Sequence, residues 1–182
     1  MGVVIITGVP GVGKSTVIDA AQKAKGYKVV VYGTEMFAVA KARGLVKDRD
    51  EMRKLDPSLQ RDIQEAAAHA IANMGDVIVD THCTIKTPRG FLPGIPAWVA
   101  QALKPKQMIL VEAPPKDVVS RRNNDPSRAR DPDSEEDIAN HQSMNRAAAL
   151  AIATLTGATV AFIHNRTGDV EGTRDQILRI LG

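Results

Sequence analysis

The chain reads as an α/β protein: a mostly parallel sheet with helices on both faces. Three observations predict this. Short apolar runs recur along the 182 residues, separated by helical patterns, which is the layout of a parallel sheet covered on both sides. The first run, Val3–Thr7, passes directly into Gly8-Val9-Pro10-Gly11-Val12-Gly13-Lys14-Ser15-Thr16. A helical pattern opens at that stretch and stops at Gly26, so glycine, four residues, Gly-Lys-Ser stands between a strand and a helix, as a phosphate-binding P-loop must.

The residue types of the loop follow from its task. A polyphosphate carries several negative charges and is approached by backbone amides. Gly8, Gly11 and Gly13 let the chain wrap closely. Val9, Pro10 and Val12 fill the loop between them, and Thr16 continues into the helix. That helix aims its free N–H groups and positive dipole end at the phosphates. Lys14 reaches the β- and γ-phosphates, and the Ser15 hydroxyl joins a Mg²⁺ shell.

The remaining elements follow in order. A second strand covers 27–32. Gly33-Thr34 turns into a helix over 35–43, with Thr34 as N-cap and Gly44 as stop. Asp48-x-x-Glu51 signals a short helix to about Leu55. Asp56-Pro57 opens a long one with an apolar face at Leu59, Ile63, Ala66, Ala67, Ala70, Ile71 and Met74, ended by Gly75. A third strand over 76–80 carries Asp80 at its end, and a Gly- and Pro-rich segment fills 81–94. A short helix over 96–103, a fourth strand over 107–111 and a helix over 116–123 come next. Ser134-x-x-Asp137 reads as a capping box for a helix running to about Thr156, stopped at Gly157. A fifth strand covers 159–163 and a last helix 169–181. The organisation is one domain with two polar excursions, about 34–74 and 122–134.

Composition narrows the class. The chain is 43% hydrophobic and 25% charged, ordinary for a globular domain, and no apolar run approaches a membrane span. With one cysteine, Cys83, an internal disulfide is excluded, and a cytoplasmic location is expected. Net charge is +3 with six scattered aromatic residues, so no single-strand stacking platform is visible and no nucleic-acid partner is expected. His69, His82, His141 and His164 form no i,i+4 pair, which argues against zinc.

Four arginines, Arg121, Arg122, Arg128 and Arg130, fall within ten residues around a polar loop. Phosphoryl transfer spreads negative charge over the moving group, and guanidinium forks match it. A lid carrying them would exclude water, a wasteful competing acceptor. Asp80 stands where P-loop enzymes hold a carboxylate that orients Mg²⁺, usually through water. A second phosphate-bearing substrate needs a cation in the first excursion. Arg43, Arg49, Arg53 and Arg61 are available there, and Arg53 is the preferred one. Lys86 and Arg89 are candidates of the same kind, and His82 stands near the acceptor pocket.

Several long stretches resemble the archaeal-type adenylate kinases. They are the P-loop itself, Gly33-Thr34-Glu35-Met36-Phe37, Asp48 to Pro57, Asp80 to Gly90, and His141-Gln142-Ser143-Met144-Asn145-Arg146-Ala147-Ala148-Ala149. The resemblance implies a P-loop nucleoside monophosphate kinase fold, a five-stranded parallel sheet with an AMP-binding excursion and a short lid. It implies the reaction ATP + AMP ⇌ 2 ADP with Mg²⁺. Gly8 to Thr16 would hold ATP, and Thr34, Met36 and Arg53, with His82 beside them, would receive AMP. Lys14 and the arginines Arg121, Arg122, Arg128 and Arg130 would act on the transferring phosphoryl group, with the arginine that meets each phosphate left open, and Ser15 and Asp80 would act on the metal. Homotrimers are known in this family, although no residue pattern here indicates one. The residues alone leave two other readings open: a P-loop kinase acting on another acceptor, and a nucleotide-dependent ATPase switch.

Overall fold

In a computed structural model, residues 2–124 and 133–182 are described. The elements are β1 (Val3–Thr7), α1 (Lys14–Lys25), β2 (Lys28–Val31), α2 (Tyr32–Ala42), a 3₁₀ turn (Asp50–Lys54) and α3 (Pro57–Ala72). They continue with β3 (Val77–Asp80), β4 (Thr84–Thr87), β5 (Gly90–Pro93), α4 (Ala97–Leu103), β6 (Gln107–Glu112) and α5 (Pro115–Asn123). Last come α6 (Glu135–Thr156), β7 (Thr159–His164) and α7 (Val170–Leu181). Among the described residues, no helix is long and apolar enough to cross a membrane.

Five strands form one parallel sheet in the order β2-β3-β1-β6-β7. Side chains alternate across it, and both faces are covered. Val3, Ile5, Val77, Val79, Met108 and Leu110 enter one core, packed by α3, α4 and α6. Val4, Ile6, Ile78, Ile109 and Val111 enter the other, packed by α1 and α7. A third small cluster, Ala40, Val46 and Ile63, ties α2 to α3 beyond the sheet. The register sets Ile6 beside Asp80 and Thr7 beside Leu110. β1 and β3 therefore end within one residue of each other, β6 runs on two residues to Glu112, and the loops that follow the three emerge at the same end of the sheet.

Two local expectations are corrected. Thr34 does not cap α2; the helix starts two residues earlier, at Tyr32, with Val31 at the cap and no side-chain cap bond. Tyr32 is buried, and its hydroxyl donates to the Gln64 carbonyl at 2.7 Å, so burial against α3 pulls it out of the strand and into the helix. The segment 81–94 is also more ordered than its glycines and prolines suggest. It holds the antiparallel hairpin β4–β5, pairing Thr84 with Pro93 and Thr87 with Gly90. Asn145 on α6 fastens its root by accepting from the Thr84 amide at 3.1 Å and the Thr84 hydroxyl at 2.6 Å.

The capping signals at the starts of α3 and α6 held. Asp56 accepts from the Ser58 amide at 2.8 Å, with Pro57 as the first residue of α3. Ser134 and Asp137 form a complete capping box at the start of α6. Lys86 on β4 donates to Asp137 at 2.8 Å, and with the Ser134 bonds it holds this carboxyl at about 2, against an ordinary 3.8. A carboxyl depressed in the folded state stabilises fully above its ordinary value and loses that contribution as pH falls through the folded one. The unfolding midpoint of the wild type is expected to drop between about pH 4 and pH 2 more steeply than that of Asp137→Asn. Parallel curves for the two proteins would show that the box and its lysine do not report on stability.

Candidate functional site

The P-loop bridges the end of β1 and the start of α1. Its geometry requires glycine at two places. A Cβ at Gly8 would strike the Val111 carbonyl of β6. Gly13 has φ 84, the left-handed region, and a Cβ there would also strike the Asn165 side chain. Gly13 is the N-cap of α1, and no side chain caps it, so the amides of the first turn stay free for a ligand.

The loop carbonyls are held from behind. Pro10 O accepts from Arg122 Nε at 2.8 Å. Val12 O accepts from Arg121 Nη1 at 3.1 Å and from Asn165 Nδ2 at 2.7 Å. Arg121 Nη2 donates further to Asn165 O at 3.0 Å and to Thr167 Oγ1 at 2.9 Å. Arg121, expected at the transferring phosphoryl group, thus lies behind the P-loop. Arg128 and Arg130 fall outside the described residues.

In front of the loop, Lys14 Nζ lies 3.4 Å from Asp80 Oδ1 and 3.3 Å from His82 Nε2. An ammonium only donates, so Nε2 is the bare nitrogen of this imidazole. Asp80 Oδ1 is buried and makes no hydrogen bond among the described residues. A buried carboxylate oxygen that ion-pairs with Lys14 but accepts no hydrogen bond among the described residues suits a magnesium shell, and Ser15 stands exposed in the first turn of α1 at the same end of the sheet. The donor set fits the metal expected there.

A cavity of about 680 Å³ opens beside the loop, lined by Pro10, His82, the strand β4, Arg122, Asp133 and His141. Its charges are arranged in a chain. Arg122 pairs with Asp133, which also takes Lys86 at 2.8 Å. Burial acts to raise the Asp133 carboxyl, but Lys86 and Arg122 outweigh it and hold it below its ordinary range. His141 donates from Nε2 to the Thr84 carbonyl at 3.3 Å, and burial, the leading cause, lowers its pKa. Below the site, α6 also holds the end of β6. Arg146 forks onto the Glu112 carboxylate at 2.7 and 2.6 Å, and Gln142 accepts from the Ala113 amide at 3.1 Å.

A second cavity, about 310 Å³, lies between α2, the 3₁₀ turn and α3. Met36 and Arg53, both expected at an acceptor, line it together with Arg49, Met52 and Leu55. Thr34 is tied in through Arg49, whose Nη2 donates to Thr34 Oγ1 at 2.6 Å. His82 is on the other cavity. Arg61 lies over the Trp98 ring, 4.7 Å from its centroid, and pairs with Glu65, so it serves α3 and α4 instead. Sequence reasoning ranked Arg49 below Arg53. No spacing rule for a 3₁₀ turn brings residues four apart onto one face, so that both line one cavity is seen only in the fold. Asn165 it did not single out; a lone asparagine after a strand carries no motif.

The comparisons with known proteins agree on a family. The AAA domain model matches residues 7–139. The adenylate kinase of Thermoplasma acidophilum is 50% identical over 177 residues, covering 97% of each chain. That of Methanothermobacter thermautotrophicus is 47% identical over 184 residues and the full length of both. That of Methanopyrus kandleri is 51% identical over 178 residues, 94% of this chain and 93% of its own. Among solved structures, the shikimate kinase of Acinetobacter baumannii in complex with shikimate aligns at TM-score 0.61 and 15% identity, over 100% of this chain and 91% of that one. That likeness concerns the fold alone.

Cys83 lies next to His82 but is not a reactive group. It is buried, its amide donates to Thr7 Oγ1 at 2.9 Å, and burial pushes its thiol up to about 11 against the opposing pull of Thr7 and Lys14. Iodoacetamide at pH 8 is expected to leave it unlabelled in the folded protein and to label it fully in guanidinium. Rapid labelling of the native state would show that the strand end opens.

Proposed function

The chain belongs to the adenylate kinase family, and on that premise we propose how its residues carry the reversible transfer ATP + AMP ⇌ 2 ADP. The observation that carries the proposal is that one chain holds two anion sites. One is a P-loop amide cradle with Lys14, and the other is a separate cavity walled by Arg49 and Arg53.

ATP occupies the cradle from Gly8 to Thr16, with Lys14 on its β- and γ-phosphates. Ser15, and Asp80 through water, would hold a magnesium ion, which would supply charge neutralisation at those phosphates. AMP enters the second cavity, its phosphate taken by Arg53 and Arg49 and its base set among Met36, Met52 and Leu55. Thr34 orients the Arg49 fork. His82 stands on the first cavity beside the P-loop, where it accepts from Lys14 and fixes the ammonium. The excursion at about 34–74 is the AMP-binding part, and a short lid at about 122–134 brings Arg128 and Arg130 to the moving phosphoryl group. Arg121 contributes through the Val12 carbonyl that it holds.

The attacking group needs no general base. A phosphate monoester has its second pKa near 6, so an AMP oxygen is already charged at pH 7. Catalysis is positioning plus charge neutralisation in a site closed to water. The absence of a base from the mechanism separates this reading from transfer to a hydroxyl acceptor such as shikimate.

A coupled assay tests the activity. ADP is expected to form from Mg·ATP only with AMP present, and no free phosphate should be released. Phosphate release without AMP would favour the ATPase switch, and phosphorylation of shikimate or CMP well above AMP would favour another acceptor. Lys14→Ala is expected to lower kcat at least about 100-fold with the fold retained; activity above a tenth of wild type removes Lys14 from the phosphate site. Arg49→Ala and Arg53→Ala are each expected to raise the KM for AMP about tenfold or more and to leave that for ATP within about twofold. Equal effects on both substrates would place AMP elsewhere.

A further inference from the structure

We infer that Asn165 is a positioning residue for the phosphate cradle: its buried side-chain amide, through the Val12 carbonyl, aims the Gly13 N–H at the bound polyphosphate. The inference rests on the reading of the P-loop as the ATP site and adds a residue that lies just beyond the end of β7, 152 positions from Gly13 in sequence.

The geometry of a peptide unit carries the argument. In a planar trans peptide, C=O and the next N–H point in opposite directions. Val12 O is drawn backward by Asn165 Nδ2 at 2.7 Å and by Arg121 Nη1 at 3.1 Å, so the Gly13 N–H of the same unit faces the other way, into the cradle. Arg122 does the same for the Pro10 carbonyl and hence for the Gly11 N–H. An amide cradle binds by aim as much as by charge, because a donor that must reorient at binding contributes less.

Asn165 is built for this role and not merely for filling space. It is 7% exposed, and burying a carboxamide is unfavourable unless its polar atoms are used. Its Nδ2 is committed to Val12 O. Its Oδ1 lies 3.1 Å from the hydroxyl of Thr173, itself buried on α7. The Val12 carbonyl can only accept, so Nδ2 and not Oδ1 must face it, and the single Thr173 proton supports that orientation while shared with Asp169 O at 2.8 Å. Its own amide donates to Glu112 O at 2.8 Å, anchoring it to the end of β6, and its carbonyl accepts from Arg121 at 3.0 Å. The side chain also occupies the space that a Cβ on Gly13 would need, so the glycine and the asparagine fit only as a pair.

The experiment titrates wild type, Asn165→Ala and Thr173→Val with sodium tripolyphosphate in the presence of saturating AMP, which fills the second anion site, and separately with AMP alone, by calorimetry. Asn165→Ala is expected to bind tripolyphosphate about tenfold more weakly, the loss of one buried hydrogen bond, and AMP within about twofold of wild type. Thr173→Val, which keeps the volume but frees the Asn165 amide to turn, should move tripolyphosphate affinity in the same direction by a smaller factor. A purely structural role would lower the melting temperature and leave the tripolyphosphate affinity of the folded variants unchanged, and that result overturns the inference. Should Asn165→Ala fail to fold, Thr173→Val decides by the same criterion. If wild type itself does not bind tripolyphosphate, the P-loop reading fails first and this inference with it.

Discussion

The in-register pairing of β1 with β3 and with β6 is the constraint on which the site depends. Because Ile6 lies beside Asp80 and Thr7 beside Leu110, β1 and β3 end within one residue of each other and β6 ends two residues beyond them, all at the same end of the sheet. That puts the P-loop, the Asp80 carboxylate and the loop leading to α5 within a few ångströms of each other. A slip of one residue in either pairing would turn every side chain to the opposite core and carry Asp80 away from Lys14. The two apolar cores that forbid the slip therefore also hold the chemistry in place. Packing and function here are a single constraint.

Polar contacts then convert these strand ends into a shaped site. One stretch of α6 serves three neighbours at once. His141 and Asn145 fasten the hairpin, Gln142 fastens the loop after β6, and Arg146 neutralises the Glu112 carboxylate. This accounts for a run of helix, far from any phosphate, being among the stretches that resemble a kinase family. Its residues shape the floor of the site without facing a substrate.

Much of this was legible in the sequence, for physical reasons that differ by element. The P-loop and the five main strands were legible because a glycine loop between an apolar strand and a helix is a local pattern. The capping box at Ser134 was legible because both of its partners lie within four residues. The hairpin β4–β5 was not. It is short, exposed along part of its length, interrupted by Pro88 and closed by Pro93, and its order comes from Asn145, about sixty residues away. Tyr32 was assigned to a strand because its type favours one, yet burial against α3 overrode that preference. Arg49 and Arg53 were both visible, but only the folded turn shows that they share one cavity. Asn165 had no local signature, since its partner Val12 stands at the other end of the chain.

That last separation has a kinetic consequence. The strand β1 and the glycines of the cradle are made well before Asn165 and the strand that precedes it. A nascent chain stopped before β7 would have the P-loop but not the donor that holds the Val12 carbonyl, and β6 would be left as an open sheet edge. Closing that contact is a long-range event, which polypeptides make late. The cradle therefore reaches its full affinity only once β7 has docked against β6, which ties the sharpness of the nucleotide site to the last pairing in the sheet.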